Sequence, residues 1–119
     1  MTVELFPLQG RAPVGPGMSS RSIFGSSKGA WTTPVVMEWE LTGAQWTDEH
    51  PHDELNFILE GELHVESDGE LVVARTGDLV RVAANSQGRY FAPERARMLA
   101  IYDHNPDGAA SVIGGLEPT

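Results

Sequence analysis

The chain has 119 residues, the size of a single domain with a core of its own, and its 40% hydrophobic content predicts a globular protein. A net charge of −9 at pH 7 disfavours nucleic acid and anionic membranes as partners. The absence of cysteine excludes disulfides, thiolate metal sites and thiol catalysis. The first residues show no signal-peptide pattern, and no apolar run approaches the roughly 20 residues of a membrane span. We therefore expect a cytoplasmic protein without a membrane partner.

Residues 1–30 are predicted to form a loop-rich arm with one edge strand at Ser20–Phe24, because the stretch 10–29 is rich in Gly, Ser and Pro. Alternation of apolar and polar residues predicts the next strand at Val35–Leu41. Further short strands are predicted at Glu54–Glu60, Glu62–Glu66, Glu70–Ala74, Leu79–Ala83, Gly88–Ala92 and Met98–Tyr102, separated by turn residues such as Gly61.

The best helical candidate is Ala92–Met98, and it is short. The tail, residues 105–119, is predicted to fray or to lie on the surface because it is rich in Gly and Pro. We expect eight or more antiparallel strands, with fewer than about one residue in ten in a helix, against a usual share near one third. Evenly spaced short strands of this kind are typical of a β-sandwich or barrel.

Four side chains that bind metals or move protons alternate in the stretch DEHPHDE: Asp48, His50, His52 and Glu54. In an extended chain alternate residues point to one face, so these groups would converge there. Imidazole and carboxylate groups bind Fe, Mn, Ni or Zn, with geometry deciding among them. Pro51 is expected to kink the chain and to turn His52 away from the others. The alternative interpretation is an exposed, polar strand end.

The stretch DEHPHDELNFILEG resembles the first motif of the cupin superfamily, G-x5-H-x-H-x3-E-x6-G. His50 falls on the second His of that motif and Glu54 on the Glu, whereas Asp48 stands in place of the first His. In the second motif, G-x5-P-x-G-x2-H-x3-N, Gly77 fits the start and Gly88 replaces the metal-binding His. The resemblance implies an all-β, single-domain cupin: an antiparallel jelly-roll β-barrel, open at one end, over residues 31–104.

The longer stretch DELNFILEGELHVESDGELVVARTGDLVRVA is similar to the cupin domain of ethanolamine-utilization protein Q. Its small relatives also lose much of the usual metal set. This similarity therefore supports a β-barrel fold more strongly than it supports a bound metal ion. A single divalent ion (Zn, Mn, Ni or Fe) held by Asp48, His50 and Glu54, with His52 as a further ligand, is one expectation. A metal-free pocket is the other, and no nucleotide or organic cofactor is expected.

The leading functional hypothesis is an enzyme that acts on a small organic molecule by proton transfer, as in isomerisation, cyclisation, elimination or hydrolysis. His50 or Glu54 would be the base, and Tyr90, two residues along the strand from Gly88, would share the inner face. The predicted substrate-binding residues are His52, Asn56, Arg81 and Tyr102. One alternative is a metal-dependent oxygenase at Asp48, His50 and Glu54. Another is a non-catalytic binding or accessory protein.

A stripe of apolar residues on the first motif strand predicts an assembly. Leu55, Phe57 and Leu59 lie on the face opposite to the one that lines the barrel. An exposed stripe of this kind requires a cover, either a strand from the N-terminal arm or a second subunit. The resemblance to cupins implies a homodimer.

Overall fold

The computed structural model describes residues 2–119, and all regular structure in that range is β-strand, as the sequence predicts. The strands are antiparallel throughout. They are β1 (Ala12–Gly15), β2 (Met18–Phe24), β3 (Val35–Glu49), β4 (Glu54–Ser67), β5 (Glu70–Arg75), β6 (Leu79–Val82), β7 (Gln87–Tyr102) and β8 (Val112–Pro118). The described residues include no helix that is long and apolar enough to cross a membrane.

Three long strands organise the jelly-roll: β3, β7 and β4 lie side by side, with β7 in the middle. The first half of β3 pairs with β2 and its second half with β8. In the same way, β6 pairs with the first half of β4 and β5 with the second. Register shifts interrupt the β3–β7 and β4–β7 ladders. Such bulges bend a strand and increase its twist, which allows these strands to curl into a barrel.

The sequence predicts breaks in these long strands at positions where the structure shows only bends. Glu54–Glu60 and Glu62–Glu66, predicted as two strands, are one strand, and Gly61 is a bulge within it. The segment Ala92–Met98, the best helical candidate of the sequence, is not helical and runs through the middle of β7. Its residues favour helix intrinsically, but cross-strand pairing with β3 and β4 overrides that preference.

The arm and the tail both contribute strands to the sheet. The arm supplies β1 and β2 and is held on the outer face by Glu38, which is 4% exposed and pairs with Arg11, Arg21 and Arg97. The tail, expected to fray or lie on the surface, is largely exposed but forms β8, which pairs with the second half of β3. This pairing brings the tail back over the end of β3 that leads into the polar stretch.

The inner face of the barrel is filled at one end by a hydrophobic core. Its largest fully buried side chains are Tyr90, Leu41, Ile58, Leu63, Met98, Val35 and Asn56. On β4, buried Glu54 and Ile58 alternate with Leu55 and Phe57, which are more exposed. The predicted inner and outer faces of this strand are therefore correct.

Candidate functional site

Three acid–base side chains meet where β3 passes into β4. Asp48 lies at the end of β3, His50 in the connection that follows, and Glu54 opens β4. The His50 Nε2 atom lies 3.0 Å from Asp48 Oδ2 and 3.1 Å from Glu54 Oε1. All three groups are buried. The stretch is thus a strand end, a turn and a strand start, and not the single extended strand that the alternation suggests.

The geometry at His50 Nε2 fits a metal ion. Despite the two short distances, this buried nitrogen has no hydrogen bond of acceptable angle. The ligand atoms of Asp48, His50 and Glu54 lie within 4.8 Å of one another. Two carboxylates and one imidazole suit Zn, Mn, Fe or Ni.

Each member of this group is held by an outer hydrogen-bond partner. Trp46 Nε1 donates to Asp48 Oδ2 at 2.7 Å, and Asn56 Nδ2 donates to Glu54 Oε2 at 2.8 Å. The Ser111 hydroxyl lies 2.6 Å from His50 Nδ1. Asn56 is fixed in turn by Trp39 Nε1, which donates to its Oδ1 at 2.8 Å. Partners of this kind orient ligands and are a usual feature of working metal sites.

The two carboxylates control the charge of His50. Burial disfavours the imidazolium, but the two carboxylates of Asp48 and Glu54, 3.0 and 3.1 Å from Nε2, outweigh it and raise the pKa of His50 to about 9. In the metal-free protein His50 is therefore protonated at neutral pH.

A pocket of about 230 Å³ opens onto this group. Its walls are mainly apolar and aromatic, and the strands β1, β2, β3, β4, β7 and β8 all contribute to it. It is lined by Val14, Met18, Ser20, Met37, Trp39, Trp46, Asp48, His50, Glu54, Ala100, Tyr102 and Ile113. An apolar cavity with a few convergent polar groups is the usual form of a small-molecule site.

His52 and Tyr102 lie beside the group. The His52 ring stacks on His50 with centroids 4.7 Å apart, and it also lies beside Tyr102 at 4.8 Å and Trp31 at 5.1 Å. His52 is not among the three convergent ligands, although its ring lies beside them. Tyr102 lines the pocket, with its ring 5.0 Å from that of His50. Burial, followed by the charges of Glu54 and Asp48, raises the pKa of Tyr102 well above its usual value.

The other predicted residues occupy three different environments. Asn56 is fully buried and its side chain is committed to Trp39 and Glu54. Tyr90 is fully buried behind the group, and burial, then the charges of Glu54 and Asp48, raise the pKa of its phenol. Arg81 is exposed on the outer face, where its Nε donates to Asp53 Oδ2 at 2.8 Å. The structure does not bring Arg81 to the pocket.

Ser111 and Trp46 are the site residues that the sequence does not reveal. Ser111 precedes β8, 61 residues from His50, and no local pattern links the two. Trp46 and Asp48 are two residues apart on β3, so the strand pattern predicts that their side chains lie on the same face. It does not predict that the Trp46 indole donates a hydrogen bond to Asp48.

A protein-family model, ethanolamine utilisation protein EutQ, matches residues 16–107. The chain belongs to the EutQ family. No curated protein sequence gives a significant match. Among solved structures, this EutQ-family chain is similar to a protein described as a putative ethanolamine utilization protein Q from Salmonella typhimurium LT2, with 24% identity and a TM-score of 0.64. That match covers 74% of this chain and 70% of the other.

Two further structures share the fold of this EutQ-family chain. An RmlC-like cupin from Shewanella frigidimarina is 19% identical with a TM-score of 0.70, and covers 84% of this chain and 90% of its own. KdgF from a Halomonas species is 18% identical with a TM-score of 0.70, covering 89% and 98%. These likenesses confirm the cupin jelly-roll predicted from the sequence motifs.

Proposed function

We propose that the chain is a small-molecule enzyme of the cupin type, which carries out proton-transfer chemistry in the pocket at Asp48, His50 and Glu54. These residues act as acid–base groups in the metal-free protein, and they are the ligands when one divalent metal is bound. The reaction classes that suit the site are isomerisation, cyclisation, elimination and hydrolysis. The observation that carries the proposal is the buried imidazole between two carboxylates at the base of a pocket, with its Nε2 lacking a proper hydrogen bond.

The metal would be held by Asp48, His50 and Glu54, and when bound it supplies Lewis-acid polarisation of a substrate oxygen. The protein's own side chains position the ligands and orient the substrate. Trp46, Asn56 and Ser111 fix the three side chains. Tyr102, at the pocket wall, is placed to orient a polar group of the substrate. In the metal-free state His50 and Glu54 form a proton donor and acceptor pair 3.1 Å apart.

The walls of the pocket indicate the kind of substrate. Within residues 2–119 the pocket is lined by no arginine or lysine, so a substrate anion would find no fixed cation other than His50 or the metal. Trp39, Met37 and Ile113 offer apolar surface. We expect a small organic molecule with an apolar body and one or two polar groups that approach Glu54 and His50.

Metal analysis of the purified protein tests the site. We expect about one divalent ion per chain in the wild type and none in His50→Ala, because the loss of one of three ligands leaves too few. The matched control is His64→Ala, since His64 lies on the outer face beside Glu62 and away from the pocket. Stoichiometric metal in His50→Ala would contradict the assignment.

A second experiment separates an enzyme from a binding or accessory protein. Small molecules that co-purify are identified by mass spectrometry, and each is assayed for binding and turnover. For an enzyme, Glu54→Gln and His50→Gln should retain the fold and most of the ligand affinity, while turnover falls by about 10²–10⁴. A ligand that binds the wild type and is never converted, with any divalent metal, would establish the binding protein instead.

We further propose that the chain forms a homodimer through the outer face of β4. Leu55, Phe57 and Leu59 on this face lie beside Ile101 and Leu99 of β7 in the β4–β7 register. The side chain of Phe57 is 37% exposed. Strands β1 and β2 extend the sheet at β3 and do not pair with β4, which favours a second copy as the cover of the stripe.

A further inference from the structure

Tyr90 fills the space that a side chain at position 88 would occupy. Both residues lie on β7, two apart, so their side chains leave the same face of the strand. A Cβ atom added at Gly88 would meet the Tyr90 ring at 2.8 Å (Cε2) and its hydroxyl at 2.9 Å. The Tyr90 ring therefore folds back along the strand and lies over Gly88. Only the absence of a side chain at position 88 permits this.

That space adjoins the proposed metal site. Gly88 is the cross-strand partner of Asp48 in the β3–β7 register, so the Tyr90 hydroxyl lies beside the strand position that carries the first carboxylate. The hydroxyl is fully buried and has no hydrogen-bond partner. Within residues 2–119, the two buried side-chain polar atoms without a partner are this oxygen and His50 Nε2. Buried polar groups are rarely left unpaired without a functional reason.

We propose that the Tyr90 hydroxyl oxygen is the fourth protein ligand of the metal site, added to Asp48, His50 and Glu54. The inference rests on the proposed metal site. Binding breaks the Tyr90 O–H bond, forms a bond from Oη to the metal and releases the proton to water, as metal ligation by protonated groups does. Gly88 has no side chain that could bind the metal, and the Tyr90 side chain would bind it from the space beside Gly88.

Two metal probes and two tyrosine variants test this. Fe(III), added as its citrate complex to metal-free protein, should give the visible charge-transfer band of an iron–tyrosinate bond. Tyr90→Phe, which removes only the oxygen, should lose the band and bind Zn(II) at least 10-fold more weakly by calorimetry, with an unchanged circular dichroism spectrum. Tyr102→Phe is the matched control, because Tyr102 is the other tyrosine near Glu54, and it should keep the band.

An exchange variant tests the relation between positions 88 and 90. Gly88→Ala should displace the Tyr90 ring, given the 2.8 Å contact, and abolish the band. In Gly88→His/Tyr90→Ala the imidazole has room and replaces the phenol, so Zn(II) affinity should recover while the band stays absent. Tyr90→Ala alone is the reference for this variant. If it bound Zn(II) as tightly as the wild type, Tyr90 would be only a core side chain packed on Trp39.

The failures of the two proposals are distinguishable. A band that persists in Tyr90→Phe, or that disappears in Tyr102→Phe instead, would overturn the role of Tyr90 alone. The role of Tyr90 would also be overturned if the wild type bound Zn(II) but gave no Fe(III) band, and Tyr90→Phe bound Zn(II) as tightly as the wild type. No binding of either metal by the wild type would overturn the metal site as a whole, and the fourth ligand with it.

Discussion

At the scale of single residues, the proton on His50 links the site to the stability of the metal-free fold. The imidazole has a pKa of about 9 in the folded chain, above its ordinary value of 6.5, because Asp48 and Glu54 outweigh its burial. When folding raises the pKa of a group, that group stabilises the folded state, and its full contribution is present at pH values below its pKa in the unfolded chain. This contribution is lost as the pH rises from 6.5 through 9.

We predict that the contribution of His50 to the free energy of unfolding of the metal-free wild type falls by about 3 kcal/mol between pH 6 and pH 10. The reason is that the pKa of His50 is about 9 in the folded chain and 6.5 in the unfolded chain. Urea unfolding at both pH values measures it, with His50→Gln as the reference that lacks the titrating group. Asp48→Asn should lower the pKa of His50 in an NMR titration. Glu62→Gln, beside His64, should leave it unchanged. An imidazole that titrates near 6.5 in the wild type would contradict the charge assignment.

The sequence predicts the members of this site better than their arrangement. Alternation and motif spacing identify Asp48, His50 and Glu54, because residue type and spacing are local properties. Their convergence, however, depends on a turn between β3 and β4. The link from Ser111 to His50 depends on the path of the tail, and the fit of Tyr90 over Gly88 depends on a ring rotamer. These features arise from tertiary packing and have no counterpart in a sequence pattern.

At the scale of elements, Gly61 lies between two register shifts where β4 passes the middle of β7. Gly61 has a φ of 81°, a left-handed conformation, and a Cβ there would lie 2.0 Å from the carbonyl oxygen of Arg95. Both the backbone conformation and the close approach require glycine. Gly69, in the turn between β4 and β5, has nearly the same φ, 80°, but nothing lies within 4 Å of the added atom.

We predict that Gly61→Ala destabilises the protein by several kcal/mol, whereas Gly69→Ala costs only about 1–2 kcal/mol. Because the two positions share a backbone conformation, the difference between them isolates the contact with β7. Urea unfolding of both variants measures it. Equal losses of stability in the two variants would mean that β4 and β7 are not in close contact at Gly61.

Most strands are predictable from this sequence, whereas β1, β8 and the full extent of the long strands are not. The alternation in Val35–Leu41 and Glu54–Glu60 correctly marks the starts of β3 and β4. In the segment Ala92–Met98 the local preference is helical, but Arg95 and Arg97 pair with Glu60 on the neighbouring strand β4. Ion pairs and cross-strand ladders between distant segments therefore outweigh propensity there, and the same long-range pairing recruits the glycine-rich β8.

At the scale of the whole molecule, the outer face divides into a charged half and an apolar half. Near β2, buried Glu38 and its three arginines cover the sheet. Across β7, β4 and β6 the outward residues are instead mostly apolar, namely Ile101, Leu99, Leu55, Phe57 and Leu79, with Arg81 opposite Leu55. Phe57 is 37% and Leu79 is 58% exposed. A largely apolar surface of this kind favours a partner that covers it, and a second copy of the chain presents the same surface.

We predict a homodimer in solution that Phe57→Glu disrupts. The added carboxylate would be buried without a partner at the centre of the contact, at a cost of several kcal/mol, and would give monomer or aggregate. Leu71→Glu is the matched control, since Leu71 is 53% exposed on β5, paired with the far end of β4 from Phe57. Light scattering coupled to size-exclusion chromatography reports the mass of each variant. A monomeric wild type, or a Phe57→Glu dimer of normal stability, would show that the stripe is not the interface.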